Sequence, residues 1–330
     1  MIKVKVSNCE PCVNFKRQTP KGSGNWGNYI FYFNEEIDEC DYWVIYDSLN
    51  KKEEVKCLPQ NTIFFTGEPP SIKNYTKYFL NQFHTVLSCR HDLKHKNIIK
   101  SQPALPWLVG IDFNFKTKQW NNANAKNWDD FSTNQLVKKT KLISIITSNK
   151  TFTSGHKNRI AFLERISKEF SGQIDIFGAG YNNIKDKYEG LANYKYSLVI
   201  ENSSYPDYWT EKLADCFLSE TYPIYYGCPN VFDYFPKGSL TEIDINKIEE
   251  TIKIIKTVVE SNEYEKSIEL IKKSKDLVLN KYNFFALISN YIDKLDKGKV
   301  ESRLKKKIHI YPEKRFQKKI KTFVRKIIRF

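Results

Sequence analysis

A group of polar side chains between positions 201 and 212 has the residue types and spacing of a phosphate-binding site. Thr210 stands where a helix N-cap is expected, which places Glu211 and Lys212 in the first turn of a predicted helix. Glu201 and Asn202 precede them in a polar loop that follows a strand-length apolar run. A helix N-terminus with a Lys beside it attracts anions, and open α/β sheets bind ligands near the carboxyl ends of their strands. The sequence therefore predicts a phosphate-bearing ligand here.

Strand and helix patterns alternate on both sides of this site. Residues 196–200 and 222–226 are apolar runs of strand length, and the apolar positions between them recur at helical spacing. A polar stretch that ends near residue 140 is typical of a linker. The sequence therefore predicts an α/β protein with two domains. The other strand-like runs are at 2–6, 42–46, 62–66, 84–87, 142–146 and 174–177.

Three motifs in this region resemble those of a known family. In chain order they are Y-K-Y-S-L-V-I-E-N-S, D-Y-W-T-E-K-L and P-I-Y-Y-G-C-P-N. Together they are similar to the donor-site signature of glycosyltransferase family 10, the α-1,3/1,4-fucosyltransferases, and the chain resembles the bacterial type. The resemblance implies a GT-B-like α/β fold with two Rossmann-like domains facing a cleft. We expect an acceptor-side domain at 1–138, a donor-binding domain at 139–300 and a basic amphipathic tail at 301–330.

The resemblance also implies an activity, the inverting transfer of L-fucose from GDP-fucose to a hydroxyl group. The expected acceptor is O3 or O4 of GlcNAc in a bacterial surface glycan such as lipopolysaccharide. No cofactor and no metal ion are implied, because positive side chains can stabilise the leaving diphosphate. Two other interpretations stay open. One is the same fold with a different nucleotide sugar, and the other is a non-catalytic adaptor for a membrane surface or nucleic acid.

Several positions match the family's donor site. Lys212 and Arg159 would hold the donor phosphates, since fixed positive charge stabilises a departing diphosphate. Arg159 ends an S-N-x(9)-R pattern whose spacing is longer than in many members. Glu211 would accept hydrogen bonds from ribose hydroxyls. Glu201 is also expected to tie its loop to a backbone amide. The remaining positions matched to the donor site are Ser148, Asn149, Asn202 and Tyr208.

A catalytic base for the acceptor hydroxyl is expected on the other domain. Glu68 follows an apolar run in F-F-T-G-E-P-P, where Gly67 permits a turn and Pro69 favours an extended exit. In the family, a Glu after such a T-G pair is the proposed general base, so the resemblance assigns that role to Glu68. Asp47 and Asp92 also follow strand-like runs and stay as alternatives.

The positive charge of the chain is concentrated in its tail. Residues 303–330 contain twelve Lys or Arg and one Glu, which accounts for most of the formal charge of +15. A basic amphipathic helix of this kind is typical of a segment that lies on an anionic membrane surface. A helix packed on the body and an RNA-binding segment are the alternatives. We expect the tail to be dispensable for folding. Its apolar stripe contains Phe316, Ile320, Phe323 and Ile327.

The expected location is the cytoplasm, on the inner face of the membrane. Seven scattered cysteines, an odd number, are typical of free thiols in a reducing compartment. The N-terminal residues lack a signal-peptide pattern, and no run approaches the roughly 20 apolar residues that span a bilayer. Nucleic acid is not an expected partner, because few aromatic side chains alternate with the charges of the tail.

Overall fold

A computed structural model describes residues 1–8, 13–133, 137–147, 154–296 and 304–315, without the side chains of 154–160 and 296. The described residues form two compact units. The first combines residues 1–103 with those described from 288 onward, and the second comprises residues 104–287.

The first unit is built on a seven-stranded sheet in the order β2-β3-β1-β4-β6-β7-β8. All neighbouring strands are parallel except β2 and β3. Strands β4 and β6 are buried along their whole length, as expected where both faces of a parallel sheet are covered. Its strands are β1 (Ile2–Asn8), β2 (Asn25–Trp26), β3 (Tyr29–Phe33), β4 (Tyr42–Tyr46), β6 (Thr62–Phe65), β7 (Thr85–Ser88) and β8 (Ile98–Lys100), with β5 (Glu53–Cys57) outside the sheet and helix α1 at Lys77–Leu80.

The second unit has a five-stranded, fully parallel sheet in the order β12-β11-β13-β14-β15. Its strands are β11 (Lys141–Ile146), β12 (Ile174–Phe177), β13 (Tyr194–Ile200), β14 (Tyr222–Tyr226) and β15 (Thr241–Glu242), after a short hairpin of β9 (Asp112–Asn114) and β10 (Gln119–Asn121). Its helices are α2 (Trp128–Ser132), α3 (Ser154–Glu169), α4 (Glu211–Leu218), α5 (Ile248–Glu260), α6 (Glu263–Lys266) and α7 (Ile268–Asn280), and α8 (Phe284–Asp296) continues into the first unit. The parallel sheets of both units, with helices α3 and α4 between strands of the second, confirm the predicted α/β class with two Rossmann-like units.

The division between the units lies at Pro103 and not near residue 138, where the sequence suggested a linker. Trp107, Val109 and Phe131 are almost fully buried in the core of the second unit, so the polar stretch that contains them belongs to that unit. The chain also returns to the first unit at Ile288, before the expected bound at 300. The predicted boundary was misplaced because the stretch is mostly polar, and its few buried aromatic and aliphatic residues do not stand out in the sequence.

Part of the predicted tail is a structural element of the first unit. Strand β16 (Lys306–Ile310) pairs antiparallel with β5, and Ile310 is fully buried. Glu313 accepts a hydrogen bond from the backbone amide of Thr76 at 3.0 Å. Residues 306–313 therefore pair and pack on the first unit, which argues against the expectation that 303–330 is dispensable for folding. The apolar stripe from Phe316 onward lies outside the described residues.

Two truncations should separate these parts of the tail. A chain that ends after Arg303 loses β16 and should be less stable than the full chain by about 3 kcal/mol or more, since loss of one buried Ile side chain alone costs roughly 2–5 kcal/mol. A chain that ends after Arg315 retains β16 and Glu313 and should match the full chain. Urea unfolding followed by circular dichroism measures both, and equal midpoints for the two truncations would contradict the packing described for Ile310.

Candidate active site

The second sheet has its topological switch point between β11 and β13. From β11 the chain moves outward to β12, and from β13 it moves outward in the opposite direction to β14 and β15. Loops that leave in opposite directions open a crevice at the carboxyl ends of the two strands, where open α/β sheets bind ligands. β13 ends at Ile200, so Glu201 is placed directly at this crevice.

Glu201 is the buried centre of the site. Its side chain is fully inaccessible, yet its Oε1 accepts hydrogen bonds from the amide of Thr210 at 2.8 Å and the hydroxyl of Thr210 at 2.9 Å. Its Oε2 lies 3.1 Å from Nζ of Lys212. Burial raises the pKa of Glu201, and the ammonium group and Thr210 donors oppose that rise. The expected link from Glu201 to a backbone amide is present.

Gly227 is required by the position of Glu201. A Cβ atom at residue 227 would lie 2.5 Å from Cγ of Glu201 and 2.5 Å from the hydroxyl of Tyr225. Neither neighbour has room to move, because Glu201 and Tyr225 are both almost fully buried. The glycine after β14 therefore makes space for the carboxylate at the end of β13.

Lys212 belongs to a chain of alternating charges, here called the charge chain. In order of contact it consists of Glu201, Lys212, Glu211, Lys187 and Asp215. Nζ of Lys212 lies 3.6 Å from Oε1 of Glu211, and the same oxygen lies 3.5 Å from Nζ of Lys187. Lys187 also lies 3.0 Å from Oδ2 of Asp215. Although burial opposes it, the ammonium groups of Lys212 and Lys187 lower the pKa of Glu211 to about 2. Glu211 is therefore ionised throughout the physiological range.

Asp215 anchors this chain of charges to the backbone. Its Oδ1 accepts hydrogen bonds from the amides of Leu108 and Val109 at 2.9 and 3.1 Å. Burial raises the pKa of Asp215, and the charge of Lys187 opposes that rise. A small cavity of about 30 Å³ is lined by Lys187, Lys212 and Asp215 among others, which is far too small for a nucleotide. A nucleotide would therefore not fit inside this cavity.

The sequence did not identify Lys187 or Asp215. Asp215 lies four residues after Glu211 and so on the same helix face, which is a signal that was available. Lys187 is 24 residues before Glu211, and only the tertiary fold brings the two side chains together.

The other predicted donor-site residues occupy different environments. Asn202 is exposed in the loop after β13, whereas Tyr208 is almost fully buried in the same loop. Arg159 lies within α3, but its side chain is outside the described part of the chain. Ser148 and Asn149 also lie outside the described residues, directly after the end of β11.

Glu68 belongs to the first unit, three residues after the end of β6, and is partly buried. The two alternative bases are both engaged by cations. Asp47 lies 2.7 Å from Nζ of Lys73, and Asp92 lies 2.5 Å from Nη2 of Arg90. The hydrogen bond from Arg90 lowers the pKa of Asp92, so that carboxylate is a weaker base than an isolated one.

Two kinds of feature were not found in the part of the chain that the structure describes. No group of three or more His, Cys, Asp or Glu side chains there is arranged to hold a metal ion. Among those same residues, no helix has the length and apolar character needed to cross a bilayer.

Residues 136–269 match the model of the C-terminal part of glycosyltransferase family 10 (fucosyltransferase). The matched residues include all members of the charge chain described above. The α-(1,3)-fucosyltransferase FucT of Helicobacter pylori is 42% identical over 78 residues, 23% of this chain and 16% of that protein. The mouse 4-galactosyl-N-acetylglucosaminide 3-alpha-L-fucosyltransferase 9 is 31% identical over 141 residues, 40% of this chain and 38% of that protein. This chain therefore covers well under half of each of these relatives.

Solved structures add information on the fold alone. HepE of Anabaena, solved in complex with UDP-glucose, superposes with a TM-score of 0.51 at 7% identity, over 90% of this chain and all of that one. At this identity the likeness concerns the path of the backbone and not the substrate. It agrees with the GT-B-like fold of two Rossmann-like units that the family resemblance implied.

Lys187 should be essential for the stability of the second unit. Lys187→Met removes the cation that faces both Glu211 and Asp215, and loss of one partner from a buried ion pair costs on the order of 3 kcal/mol. The exposed Lys185 is the matched control, and Lys185→Met should change stability by less than about 0.5 kcal/mol. Chemical unfolding compares the two variants, and similar stabilities would show that Lys187 is not needed to hold the charge chain.

Proposed function

Because residues 136–269 match the model of glycosyltransferase family 10, we propose that this chain is an inverting fucosyltransferase. It moves L-fucose from GDP-fucose to a hydroxyl group, O3 or O4 of GlcNAc, of a bacterial surface glycan such as lipopolysaccharide. The observation that carries the proposal is the placement of Lys212. Within the family segment, its ammonium group is fixed at the switch point of the sheet by Glu201, in the first turn of α4.

The donor's diphosphate is held by positive charge. Lys212 approaches it from the N-terminal turn of α4, where the helix dipole also favours an anion. Lys212 already faces two carboxylates, so a second cation is needed, and we assign that role to Arg159, with Ser148 and Asn149 in the preceding loop. Glu211, held ionised, accepts hydrogen bonds from the ribose hydroxyls.

The loop between β13 and α4 completes the donor site. Asn202 is exposed and can contact the donor directly. Tyr208 is buried, so its role is to hold the conformation of the loop rather than to contact the donor from an exposed position.

Transfer then proceeds by in-line displacement. Glu68 removes the proton from the acceptor hydroxyl, whose oxygen forms a bond to the anomeric carbon of fucose. The bond from that carbon to the phosphate oxygen breaks, and the electron pair leaves with GDP toward Lys212 and Arg159. Attack opposite the leaving group inverts the anomeric centre. Positive side chains take the place of a metal ion, so activity is expected to survive EDTA.

The tail beyond Arg315 would hold the enzyme at its substrate. Its apolar stripe of Phe316, Ile320, Phe323 and Ile327 lies among many Lys and Arg residues, a composition that suits the inner, anionic face of a bacterial membrane.

Lys212→Ala should lower kcat on the order of 100-fold, the usual effect of removing one preorganised charge from a developing anion. Lys212→Arg should recover little, because a planar guanidinium does not reproduce the contacts of a point charge. Since Lys212 also faces the buried Glu201, the melting temperature must be measured for each variant. Lys195→Ala, which removes another paired lysine of the same unit, is the control and should keep activity within about twofold. A fully active, folded Lys212→Ala enzyme would refute the donor-site assignment.

Glu68→Gln should abolish turnover of GDP-fucose while leaving the affinity for GDP unchanged, because Glu68 is assigned to the acceptor hydroxyl and not to the nucleotide. General-base removal typically costs about 10²–10⁴-fold in rate. Steady-state kinetics and calorimetry with GDP on the same preparation test both parts. Glu54→Gln, a lysine-paired carboxylate elsewhere in the first unit, is the control. Loss of GDP binding together with turnover would make Glu68 structural.

Full-length protein should sediment with anionic vesicles at low salt and be released at high salt. Each Lys or Arg near such a surface contributes about 1 kcal/mol, and salt screens this attraction. The chain that ends after Arg315 should remain folded, active on small acceptors and unbound by the vesicles. Vesicle binding by this shortened chain would place the membrane contact elsewhere.

A further inference from the structure

Asp47 occupies the switch point of the first sheet. It follows β4 directly, and β4 and β1 are the neighbours from which the chain moves outward in opposite directions. Its backbone has φ of +61°, a left-handed conformation that Asp and Asn tolerate better than most residues. Its amide donates to the carbonyl of Phe65, the last residue of β6, at 2.7 Å. The residue is therefore fixed relative to the strand that leads to Glu68.

The carboxylate of Asp47 collects three donors from the segment 67–75, which carries Glu68. Oδ1 accepts from the amide of Gly67 at 3.3 Å and from the hydroxyl of Tyr75 at 2.5 Å. Oδ2 lies 2.7 Å from Nζ of Lys73, which also donates to the carbonyl of Asp47 at 3.0 Å. One side chain thus ties both ends of the segment to the end of β4.

The donors of Asp47 are themselves held in place. The ring of Tyr75 packs edge-on against Phe64 at 5.0 Å between centroids, and the guanidinium of Arg90 donates to the carbonyl of Lys73. Burial, followed by the charge of Asp47, raises the pKa of Tyr75 well above its ordinary value, so the phenol keeps its proton and donates. The segment is therefore clamped to β4, β6 and the loop after β7.

We propose that Asp47 is a positioning residue for the transfer reaction, which fixes the 67–75 segment and so aims the carboxylate of Glu68 at the acceptor hydroxyl. The proposal rests on the proposed role of Glu68 as the base. Asp47 is not the base itself, because both of its carboxylate oxygens already accept hydrogen bonds from Gly67, Lys73 and Tyr75. A displacement of about 1 Å at a reacting group can cost on the order of 100-fold in rate.

Two substitutions at residue 47 test this role without straining the backbone. Asp47→Gly tolerates the positive φ and removes all three side-chain contacts, and it should lower kcat roughly 10- to 100-fold. Asp47→Asn also tolerates that φ and keeps an oxygen for Gly67 and Tyr75, so it should restore most of the lost rate. KM for GDP-fucose and affinity for GDP should stay unchanged in both, since the nucleotide is assigned to the second unit. Glu54→Gln is the control.

The pattern of results separates this proposal from its premise. If Asp47→Asn is as inactive as Asp47→Gly while Glu68→Gln remains active, Asp47 is the base, and both the proposal and the role of Glu68 fail. If Glu68→Gln is inactive but Asp47→Gly has wild-type kcat, only the positioning role fails. Should Asp47→Gly not fold, Tyr75→Phe and Lys73→Met each remove one contact. Their kcat should then fall together with unchanged KM for GDP-fucose, and wild-type kcat in both would overturn the proposal.

Discussion

The burial of the Glu201 carboxylate is the constraint on which the local structure around the end of β13 depends. A buried carboxylate is stable only with hydrogen-bond donors and a nearby cation, and Thr210 and Lys212 supply both. Because both residues belong to the start of α4, the carboxylate fixes where that helix begins relative to β13. The same carboxylate excludes any side chain at Gly227. The buried Glu201 side chain thus constrains the end of β13, the start of α4 and the turn at Gly227.

The two units position a loop near the switch point of the sheet through the same kind of contact. In each, a carboxylate follows a strand at the switch point of the sheet and gathers donors from a later segment of the chain. Glu201 accepts hydrogen bonds from the N-cap of α4, and Asp47 accepts them from the segment that carries Glu68. The difference is burial. Glu201 is fully inaccessible, whereas Asp47 keeps about a quarter of its side-chain surface, so water screens the ion pair of Asp47 more than that of Glu201.

Local sequence patterns were sufficient to predict many of the strands and helices, but not how these elements pair and pack. The apolar runs at 42–46 and 222–226 coincide with β4 and β14, and Thr210 is the N-cap that the sequence indicated. β16 was missed because its charged residues are those of an exposed strand, and only pairing with β5 buries Ile310. The Lys187 contacts span 24 and 28 residues of sequence, and no periodicity encodes them. Short-range rules therefore located the candidate site residues, and tertiary contacts supplied their partners.

The charge balance of the site limits what Lys212 can do alone. Among the side chains that the structure describes, Glu201, Glu211 and Asp215 form ion pairs with two ammonium groups, those of Lys187 and Lys212, so these five groups carry no positive excess. A diphosphate placed against them would meet an ammonium whose field is already largely cancelled. In the proposed function, the attraction would then come from the backbone amides at the start of α4 and from a cation outside the chain of charges, the role proposed for Arg159. The buried network orients Lys212, and the proposed affinity for a nucleotide would depend on groups that this network does not neutralise.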